Sequence, residues 1–492
     1  MGGEARPRET AVVGNVWLDG LLWGSQWSSD GATTVIDTYV AGQAGGELVL
    51  DGLGSFVKAT GPYPREVAAM GEAMAAFEAV CNVDFQMVGA QKDADLVWSV
   101  VSNFDALGAY GWSTPPGYAE VGGEARSLVA INYEAYYPQS GSNFLVRGGF
   151  DFCTFIHELG HAVGLAHPHD TGGGSSVFPG VGSAFDDLGE FDMNQGLYTM
   201  MSYNDGWPAG PDGPTPSHVY GYQAGPMALD IAALQLMYGV NDTYRAGADT
   251  YALPEANKAG TAYLCLWDAG GNDRIEGAHH LANAIDLRAA TLAAAPGGGG
   301  FLSWADGIHG GFTIAKGAVI ENARGGSEDD RLRGNEAANS LQGLGGGDAL
   351  KGGGEGDLLD GGSGDDRLGG GGGDDRLQGG AGADRLSGNA GADVFVFAAQ
   401  DSDPQDGGDR ILGFARGEDR IDLSAIDANE DAAGDQGFHL DAGGDFRAGE
   451  IRQHAEGQGL RLEINLDGDP EAEMSIWVGG ADHRLGLSDF EF

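Results

Sequence analysis

The sequence predicts an α+β domain followed by an all-β domain, a parallel β-roll of stacked nine-residue repeats. Helix-like and strand-like hydrophobic patterns alternate over residues 1–242, and a nine-residue repeat runs unbroken over residues 325–396. Glycine accounts for 89 of the 492 residues, against a usual share of about 7%. Because glycine and aspartate become denser beyond Asn241, we place the domain boundary there, with the second domain covering residues 243–492.

The charge balance and the cysteines exclude several classes of protein. Lys and Arg number 26 against 73 Asp and Glu, and the resulting net charge of −47 excludes a protein that binds nucleic acid electrostatically and favours binding of hard cations. Cys81, Cys153 and Cys265 form no Cys-x-x-Cys pair, so neither a disulfide framework nor a thiolate zinc site is indicated. No apolar run approaches the roughly 18 residues of a membrane span, and we expect no N-terminal signal peptide.

The first domain is predicted to contain helices and short strands in alternation. Residues 65–80 predict a helix, because Val67, Met70 and Met74 recur at helical spacing and Pro64 precedes them as a helix-entry residue. The other elements predicted here are strands at 94–101 and 128–132, a buried helix at 151–166, a loop at 208–216 and a helix at 226–239.

Eight nonapeptides run from Gly325 to Val396. Position one is always Gly, position six is Asp except for Asn339, and position eight is Leu except for Phe395. A collagen-like chain is excluded because the period is nine and the tract lacks proline. A flexible linker would have no reason to keep an apolar residue at position eight of every repeat. Beyond the repeats, strands are predicted at 420–424, 460–466 and 474–480.

The segment HELGHAVGLAH, residues 157–167, carries the strongest chemical signal. His157 and His161 lie one helical turn apart and project from one face toward a common metal, while Glu158 can reach a water bound to that metal. Gly164 can end the helix in a left-handed turn and bring His167 to the same ion. Three imidazoles leave one position open for water, as in catalytic zinc sites.

The zinc motif, followed by the Met-Ser-Tyr turn of TMMSYN (199–204), resembles the metzincin proteases. Together with the nonapeptides it resembles the serralysins, which are zinc endopeptidases with a calcium-binding parallel β-roll of RTX repeats. The resemblance covers nearly the whole chain. It is also carried by PMALDIAALQLMYG (226–239), WDAGGNDRIE (267–276), IAKGAVIENARGGS (314–327), GEDRIDLSAID (417–427) and LSDFEF (487–492).

The resemblance implies a role for each residue of the zinc site. His157, His161 and His167 would bind one catalytic zinc ion, and Glu158 would act as general base and then as general acid. Met201 would form the floor of the site. Tyr203 would ligate zinc in the resting enzyme and stabilise the oxyanion, although spacing alone does not select Tyr203 over Tyr198. The other histidines, His169, His218, His279 and His280, are expected on the surface or in loops.

The resemblance also implies several structural calcium ions. The position-six carboxylates and the carbonyls of positions two and four would ligate them, at Asp357, Gly362, Gly364, Asp366, Gly371, Gly373, Asp375, Gly380, Gly382, Asp384 and Asp393. The first three repeats depart from the pattern through Glu328, Ala337, Asn339 and Leu344, and no ligands are assigned there. A separate site at the domain junction would use Arg245, Gly247, Asp249, Asp268, Gly270 and Asp273.

These features predict a secreted, calcium-dependent zinc metalloendopeptidase that hydrolyses polypeptides through a zinc-bound water activated by Glu158. A calcium-binding secreted adhesion or structural protein with an inactive protease domain is the alternative, and a zinc hydrolase of small molecules is a third class. The family resemblance implies a short N-terminal propeptide, a monomer, and a proteinaceous inhibitor as a partner. It also implies export from a Gram-negative bacterium by a type I (ABC) exporter that reads the tail LSDFEF, which could instead be merely a final strand.

Overall fold

The computed structural model describes residues 6–10, 13–28, 31–42, 48–50, 56–101, 109–121, 124–132, 145–399, 401–402, 404–405, 407–429, 436–441, 443–480 and 484–492. In these ranges no helix has both the length and the apolar character needed to cross a membrane.

The N-terminal part of the chain contains a mixed sheet with helices packed against it. The described helices are α1 (Val16–Leu21), α2 (Pro64–Glu78), α3 (Phe150–Ala162) and α4 (Ala228–Tyr238). The strands are β1 (Arg6–Glu9), β2 (Ser25–Ser28), β3 (Thr34–Val40), β4 (Leu48–Leu50), β5 (Phe56–Thr60), β6 (Val83–Met87), β7 (Leu96–Val101), β8 (Gly111–Ser113), β9 (Ala119–Val121) and β10 (Glu124–Asn132). Eight strands form the sheet, whose main path is β4-β5-β7-β10-β8. β8 pairs antiparallel with β10 and ends this path.

Capping and packing explain where the helices lie. The Glu66 carboxylate accepts the Tyr63 backbone N–H at 2.8 Å at the start of α2, which satisfies one of the free donors of a helix N-terminus. In α3, Phe155 is fully buried and stacks on Trp98 of β7, with 5.9 Å between ring centroids. This contact fixes the helix that carries the HELGH segment against the sheet.

Helix α3 ends at Ala162, so the predicted extension to residue 166 is wrong. Gly164 adopts a φ of 106°, and a Cβ there would lie 2.2 Å from the Ser25 carbonyl oxygen. The Leu165 N–H donates to the Gly160 carbonyl at 2.9 Å, which closes the turn. The left-handed turn expected at Gly164 is present, and only glycine tolerates both the conformation and the close approach.

The C-terminal part consists almost entirely of short strands. They are β11 (Tyr222–Gln223), β12 (Thr250–Ala252), β13 (Ala262–Leu266), β14 (Arg274–Glu276), β15 (Asn283–Asp286), β16 (Ser303–Ala305), β17 (Gly311–Ile314), β18 (Asn322–Arg324), β19 (Arg331–Arg333), β20 (Ser340–Gly345), β21 (Ala349–Gly353), β22 (Leu358–Ser363), β23 (Arg367–Gly372), β24 (Arg376–Ala381), β25 (Arg385–Ala390), β26 (Val394–Val396), β27 (Asp409–Ile411), β28 (Arg420–Asp422), β29 (His439–Leu440), β30 (Glu450–Glu456), β31 (Gly459–Ile464), β32 (Met474–Gly479) and β33 (Phe490–Glu491).

These strands form two sheets, and the predicted parallel β-roll is confirmed. Among the described residues one sheet has 14 strands and the other has nine. Consecutive nonapeptides contribute to the two sheets in turn, so strands 18 residues apart pair in parallel, as Leu332 with Leu350 and Leu341 with Leu359. The position-eight side chains are 0–3% exposed and fill the space between the sheets.

The ends of the roll connect to elements outside the repeats. β11, which precedes the predicted boundary at residue 242, pairs in parallel with β13 beyond it. At the other end, β30, β31 and β32 continue the larger sheet as antiparallel strands. The tail forms β33, which pairs with β28 in the smaller sheet.

Candidate active site

Three histidine side chains converge at the end of α3. His157 and His161 lie one turn apart on the helix, and the turn at Gly164 returns His167 to them. The Nε2 atom of His167 lies 3.1 Å from Nε2 of His157 and 2.9 Å from Nε2 of His161. The Tyr203 hydroxyl lies 3.1 Å from the same His167 atom. Two turns, one at Gly164 and one at 199–204, therefore bring these four side chains together.

Each of these imidazoles is oriented by a hydrogen bond from its other ring nitrogen. Nδ1–H of His157 donates to the Met200 carbonyl at 3.0 Å, and Nδ1–H of His161 donates to the Leu165 carbonyl at 2.9 Å. Nδ1–H of His167 donates to the Asp170 carboxylate at 2.9 Å. These partners require the tautomer whose Nε2 carries a lone pair.

The electrostatics of the cluster fit a bound metal ion. Burial lowers the pKa of His157 and of His161 to about 3 and that of His167 to about 4, so all three imidazoles are neutral near pH 7. Three lone pairs pointing at one another would repel unless a cation lay between them. Neutral imidazoles converging through Nε2 suit zinc.

The Met turn lies directly beneath α3. A Cβ at Gly160 would lie 2.6 Å from Sδ of Met201, so the helix and the turn are in close contact. Asp230 of α4 holds the turn, since its carboxylate accepts the Thr199 hydroxyl at 2.6 Å and the Met200 N–H at 2.7 Å. Asp230 is fully buried, and burial raises its pKa to about 7. The Met turn also supplies the Met200 carbonyl that orients His157.

Glu158 faces an open cleft next to the histidines. The side chain is 7% exposed, and burial raises its pKa to about 8. No hydrogen bond to its carboxylate is found within the described ranges. Gly111 of the edge strand β8 packs against it, and a Cβ at Gly111 would lie 2.7 Å from Glu158 Cγ. A bulkier residue in β8 would displace the carboxylate.

Two grooves meet at these residues. One, of about 590 Å³, is lined by residues that include Tyr110, Cys153, His157, Glu158 and Asp205. The other, of about 580 Å³, extends past Trp23, Trp112 and Asp170, and His157, Glu158 and Tyr203 line both. The site therefore lies midway along an extended groove.

Several residues around this site escaped the sequence analysis. Asp170, Asp230 and Gly111 were not singled out, although Asp170 follows His167 by only three residues. The structure brings Tyr203 to the histidines, whereas Tyr198 lines a different groove. His169 lies in a loop as expected, and its ring stacks on His167 with centroids 4.7 Å apart.

The position-six aspartates form two ladders along the roll. Within the repeats, the backbone N–H at position six donates to Oδ1 of the aspartate 18 residues later, as Asp366 does to Asp384 and Asp357 to Asp375, each at 2.8 Å. The other carboxylate oxygen is buried without any hydrogen-bond partner in Asp348, Asp357, Asp366, Asp375, Asp384, Asp393 and Asp409. Burial raises the pKa of Asp375 and of Asp384 to about 7. Orphaned buried carboxylate oxygens in register fit divalent cations with oxygen ligands.

The ladders continue beyond the last nonapeptide. In the first two repeats, by contrast, the position-six side chains have hydrogen-bond partners for both of their terminal atoms. Oδ1 of Asp409 accepts from the Asp384 N–H at 2.8 Å, and Oδ1 of Asp419 accepts from the Asp393 N–H at 3.1 Å. In contrast, the Asn339 amide is satisfied by Glu321 and Asn335, and Asp330 accepts from Gly326 and Asn283. Asp409 and Asp419 therefore continue the ladders outside the repeat.

The acidic residues assigned to the junction also come together. Carboxylate oxygens of Asp249, Asp268 and Asp273 lie within 4.8 Å of one another. Oδ2 of Asp273 is buried without a hydrogen-bond partner, and Oδ1 accepts from the Asp249 N–H at 2.7 Å. The Arg245 guanidinium lies over the Tyr251 ring at 4.8 Å, with Nη1 3.7 Å from Asp249. Gly247 and Gly270 lie in the same loops, and the Gly247 carbonyl approaches Gly271 closely enough to exclude a Cβ there.

Comparison with known proteins agrees with these features. The profile of the family described as Peptidase M10 serralysin C terminal matches residues 228–490. A metalloprotease AprA of Pseudomonas entomophila is 30% identical over 426 residues, which cover 83% of this chain and 75% of that protein. A serralysin of Proteus mirabilis is 33% identical over 207 residues, 39% of this chain.

Other matches are partial. The chain spans 37% of the length of the Proteus mirabilis relative. The solution structure of a subunit of the Azotobacter vinelandii mannuronan C5-epimerase is 28% identical, covers 33% of this chain and 78% of that one, and has a TM-score of 0.23, too low to bear on the fold. The profile match over the C-terminal half and the long alignment to the Pseudomonas entomophila protein are sufficient without it: the chain belongs to the serralysin family.

Proposed function

We propose that the protein is a secreted, calcium-dependent zinc metalloendopeptidase that cleaves polypeptides. The observation that carries this proposal is the convergence of three Nε2 lone pairs beside Glu158, midway along an open groove. His157, His161 and His167 would hold zinc, with Tyr203 as a further ligand in the resting state. Asp170 and the Met200 and Leu165 carbonyls would keep the imidazoles in place.

The residues of the site have distinct tasks in peptide hydrolysis. Zinc bound at the histidines would lower the pKa of water and polarise the scissile carbonyl. Glu158 takes a proton from the attacking water and returns it to the leaving amine. Its carboxylate suits this task, because it faces the cleft and no described residue binds it. The Tyr203 hydroxyl donates to the carbonyl oxygen as negative charge develops there.

The groove and the edge strand suit an extended polypeptide. β8 ends the main path of the sheet, and its Gly111 contacts Glu158. An extended peptide adds to such an edge through backbone hydrogen bonds, which places a peptide bond next to the carboxylate. This arrangement supports a polypeptide substrate over a small molecule.

Calcium would stabilise the second of the two proposed domains, residues 243–492. The ligands proposed from the sequence include five aspartates with orphaned Oδ2 atoms, Asp357, Asp366, Asp375, Asp384 and Asp393, and the orphaned Oδ2 atoms of Asp348 and Asp409 extend that set. Without cations, buried carboxylates in register repel one another and leave acceptors unsatisfied. The roll should therefore fold when calcium binds.

Export would precede this folding. In the folded chain the tail is already paired, because Phe490 of β33 lies opposite Ile421 of β28. A type I exporter would read LSDFEF before the roll folds, and calcium outside the cell would then complete folding. A proteinaceous inhibitor would bind the groove, and the enzyme would act as a monomer. Deleting residues 487–492 should keep the protein inside cells that carry the exporter, and undiminished release would contradict the role of the tail.

Casein digestion tests the proposal directly. The purified protein should digest casein, and 1,10-phenanthroline should abolish digestion. Glu158→Ala should also abolish it while leaving zinc bound, because this carboxylate is not a ligand, whereas Glu255→Ala at an exposed position is the control. A protein that binds calcium but leaves casein intact under zinc-replete conditions would instead be the adhesion or structural alternative.

A further inference from the structure

One outer face of the roll carries a row of basic side chains. On the larger sheet, Arg367 lies opposite Arg385, and Arg385 lies opposite Arg410. Arg331 is in line with them, separated from Arg367 by Ala349. We call these four arginines the basic row. Their side chains point outward because the residue after each, such as Leu386 or Ile411, is buried between the sheets.

The row is widened at one end. Arg333 and Lys351 lie opposite each other on the same face, two residues along from Arg331 and Ala349. All six of these side chains are exposed. A further arginine of this face, Arg461, lies opposite Trp477 and pairs with Glu456. Neighbouring strands lie about 4.8 Å apart, so the charges of Arg367, Arg385 and Arg410 follow one another at that interval.

Among the described residues the four arginines of the basic row form no ion pair, in contrast to three arginines of the smaller sheet, whereas Arg333 lies opposite Asp286. Arg324 pairs with Glu276 at 3.2 Å, Arg376 with Asp422 at 2.8 Å and Arg420 with Glu491 at 2.8 Å. Within the described ranges, none of the four arginines of the basic row lies within 4.0 Å of a carboxylate oxygen. In a chain with 73 acidic residues and only 26 basic ones, unpaired arginines in register are a notable exception.

Such an arrangement is unfavourable for the folded protein alone. Like charges directly opposite each other on a sheet destabilise it. Pairing each arginine with one of the many acidic residues would remove the repulsion, as the smaller sheet illustrates. The row is therefore suited to an anionic ligand that runs across the strands and neutralises the arginines in turn.

Aromatic side chains flank the row at both ends. At one end the Arg410 guanidinium lies over the Trp477 ring at 4.1 Å, and Trp477 occupies the next strand in register. At the other end a groove of about 480 Å³ is lined by Arg331, Arg333, Lys351, Trp207 and Trp304, among others. The rings of Trp207 and Trp304 meet edge to face at 5.7 Å. Tryptophan gives large, flat, amphipathic surfaces, on which the C–H face of a sugar ring packs well.

We propose that the basic row and its aromatic ends bind an extended acidic polysaccharide, a polymer of uronic acids. Arginine binds carboxylates through paired hydrogen bonds, and the tryptophans beside the row offer flat surfaces for sugar rings. An extended acidic peptide would supply carboxylates but no sugar rings to pack on the tryptophans.

Binding of short oligogalacturonates to the full-length protein tests this proposal. They are chosen too short to gel with calcium and are titrated at fixed calcium and low salt, with affinity measured by calorimetry. One variant combines Arg367→Gln, Arg385→Gln and Arg410→Gln. Its matched control combines Arg324→Gln, Arg376→Gln and Arg420→Gln, which removes the same charge from the smaller sheet.

The wild type and the control should bind with similar affinity, whereas the basic-row variant should bind at least about tenfold more weakly. Its melting temperature should be unchanged or higher, because repulsion is relieved. The proposal is overturned if the wild type does not bind, if the control weakens binding equally, or if the basic-row variant melts much lower. Equal affinity for polyglutamate or DNA of the same charge would show a general polyanion surface and would also overturn it.

Discussion

Position one of each nonapeptide offers a direct test of how the calcium sites are built. A Cβ at Gly370 would lie 2.0 Å from Oδ2, 2.6 Å from Cγ and 2.8 Å from Cβ of Asp375. The aspartate of the same repeat thus folds back into the space that a side chain at position one would occupy. Gly370→Ala should push the Asp375 carboxylate out of its ladder. Two residues further along, Gly372 has nothing within 4 Å of its ideal Cβ, so Gly372→Ala is a matched control.

The magnitude follows from the contacts that would be lost. Overpacking costs about 1–3 kcal/mol. The displaced carboxylate also gives up the hydrogen bond from the Asp357 N–H, formed at 2.8 Å, worth about 1.5–3 kcal/mol for a charged acceptor. Since 1.4 kcal/mol is about tenfold in affinity, calcium binding beside Asp375 should weaken at least tenfold. Gly372→Ala should be neutral or stabilise by about 0.4–1 kcal/mol through the unfolded state.

The assay is a calcium titration of the full-length protein, followed by β-sheet circular dichroism and by the melting temperature at saturating calcium. Gly370→Ala should move the midpoint to higher calcium and lower the melting temperature, while Gly372→Ala should follow the wild type. Equal behaviour of the two variants would refute the idea that the aspartate occupies the position-one space. A fully folded roll in excess EGTA would refute calcium-dependent folding itself.

Four further substitutions probe the two kinds of site. Asp384→Ala should shift the calcium midpoint upward and Asn339→Ala should barely move it, because only the first removes an orphaned carboxylate oxygen; equal midpoints in the same titration would contradict this. Asp170→Asn should weaken zinc binding about 10–100-fold, as loss of a ligand-orienting carboxylate does. Competition with a chromophoric chelator measures the affinity, and an unchanged value would exclude Asp170 from orienting His167. Tyr203→Phe should lower kcat for peptide hydrolysis far more than it raises KM, because the proposed contact of the hydroxyl strengthens only in the transition state. An unchanged kcat would remove Tyr203 from the mechanism.

The roll was predictable because its information is local and repeated. Each nonapeptide carries its own turn and its own interior side chain, and all but the second carry a position-six carboxylate, so the period alone predicts the stacking. The structure adds that the aspartates pair at a separation of 18 residues. The ladders continue to Asp409 and Asp419, where the nine-residue spacing is lost and no sequence period points to them.

The end of α3 illustrates a prediction that was right in substance and wrong in extent. Gly164 and the spacing of the three histidines predicted a turn that brings His167 back to the two histidines of the helix. The apolar pattern up to residue 166 suggested a longer helix, but the close approach of the Ser25 carbonyl requires the chain to leave the helix at Ala162. That contact comes from a distant strand, so hydrophobic spacing within the segment could not reveal it.

By itself the sequence determined the histidines, the glutamate beside them and the period of the roll, because each depends on spacing within one helix or one repeat. Only the tertiary structure decided what surrounds them. Asp230 holds the Met turn from 30 residues beyond Met200, Gly111 supports Glu158 from the sheet edge, and the arginines of the basic row align only through strand register. Packing and register bring together residues that are far apart in the chain, and no local pattern encodes those contacts.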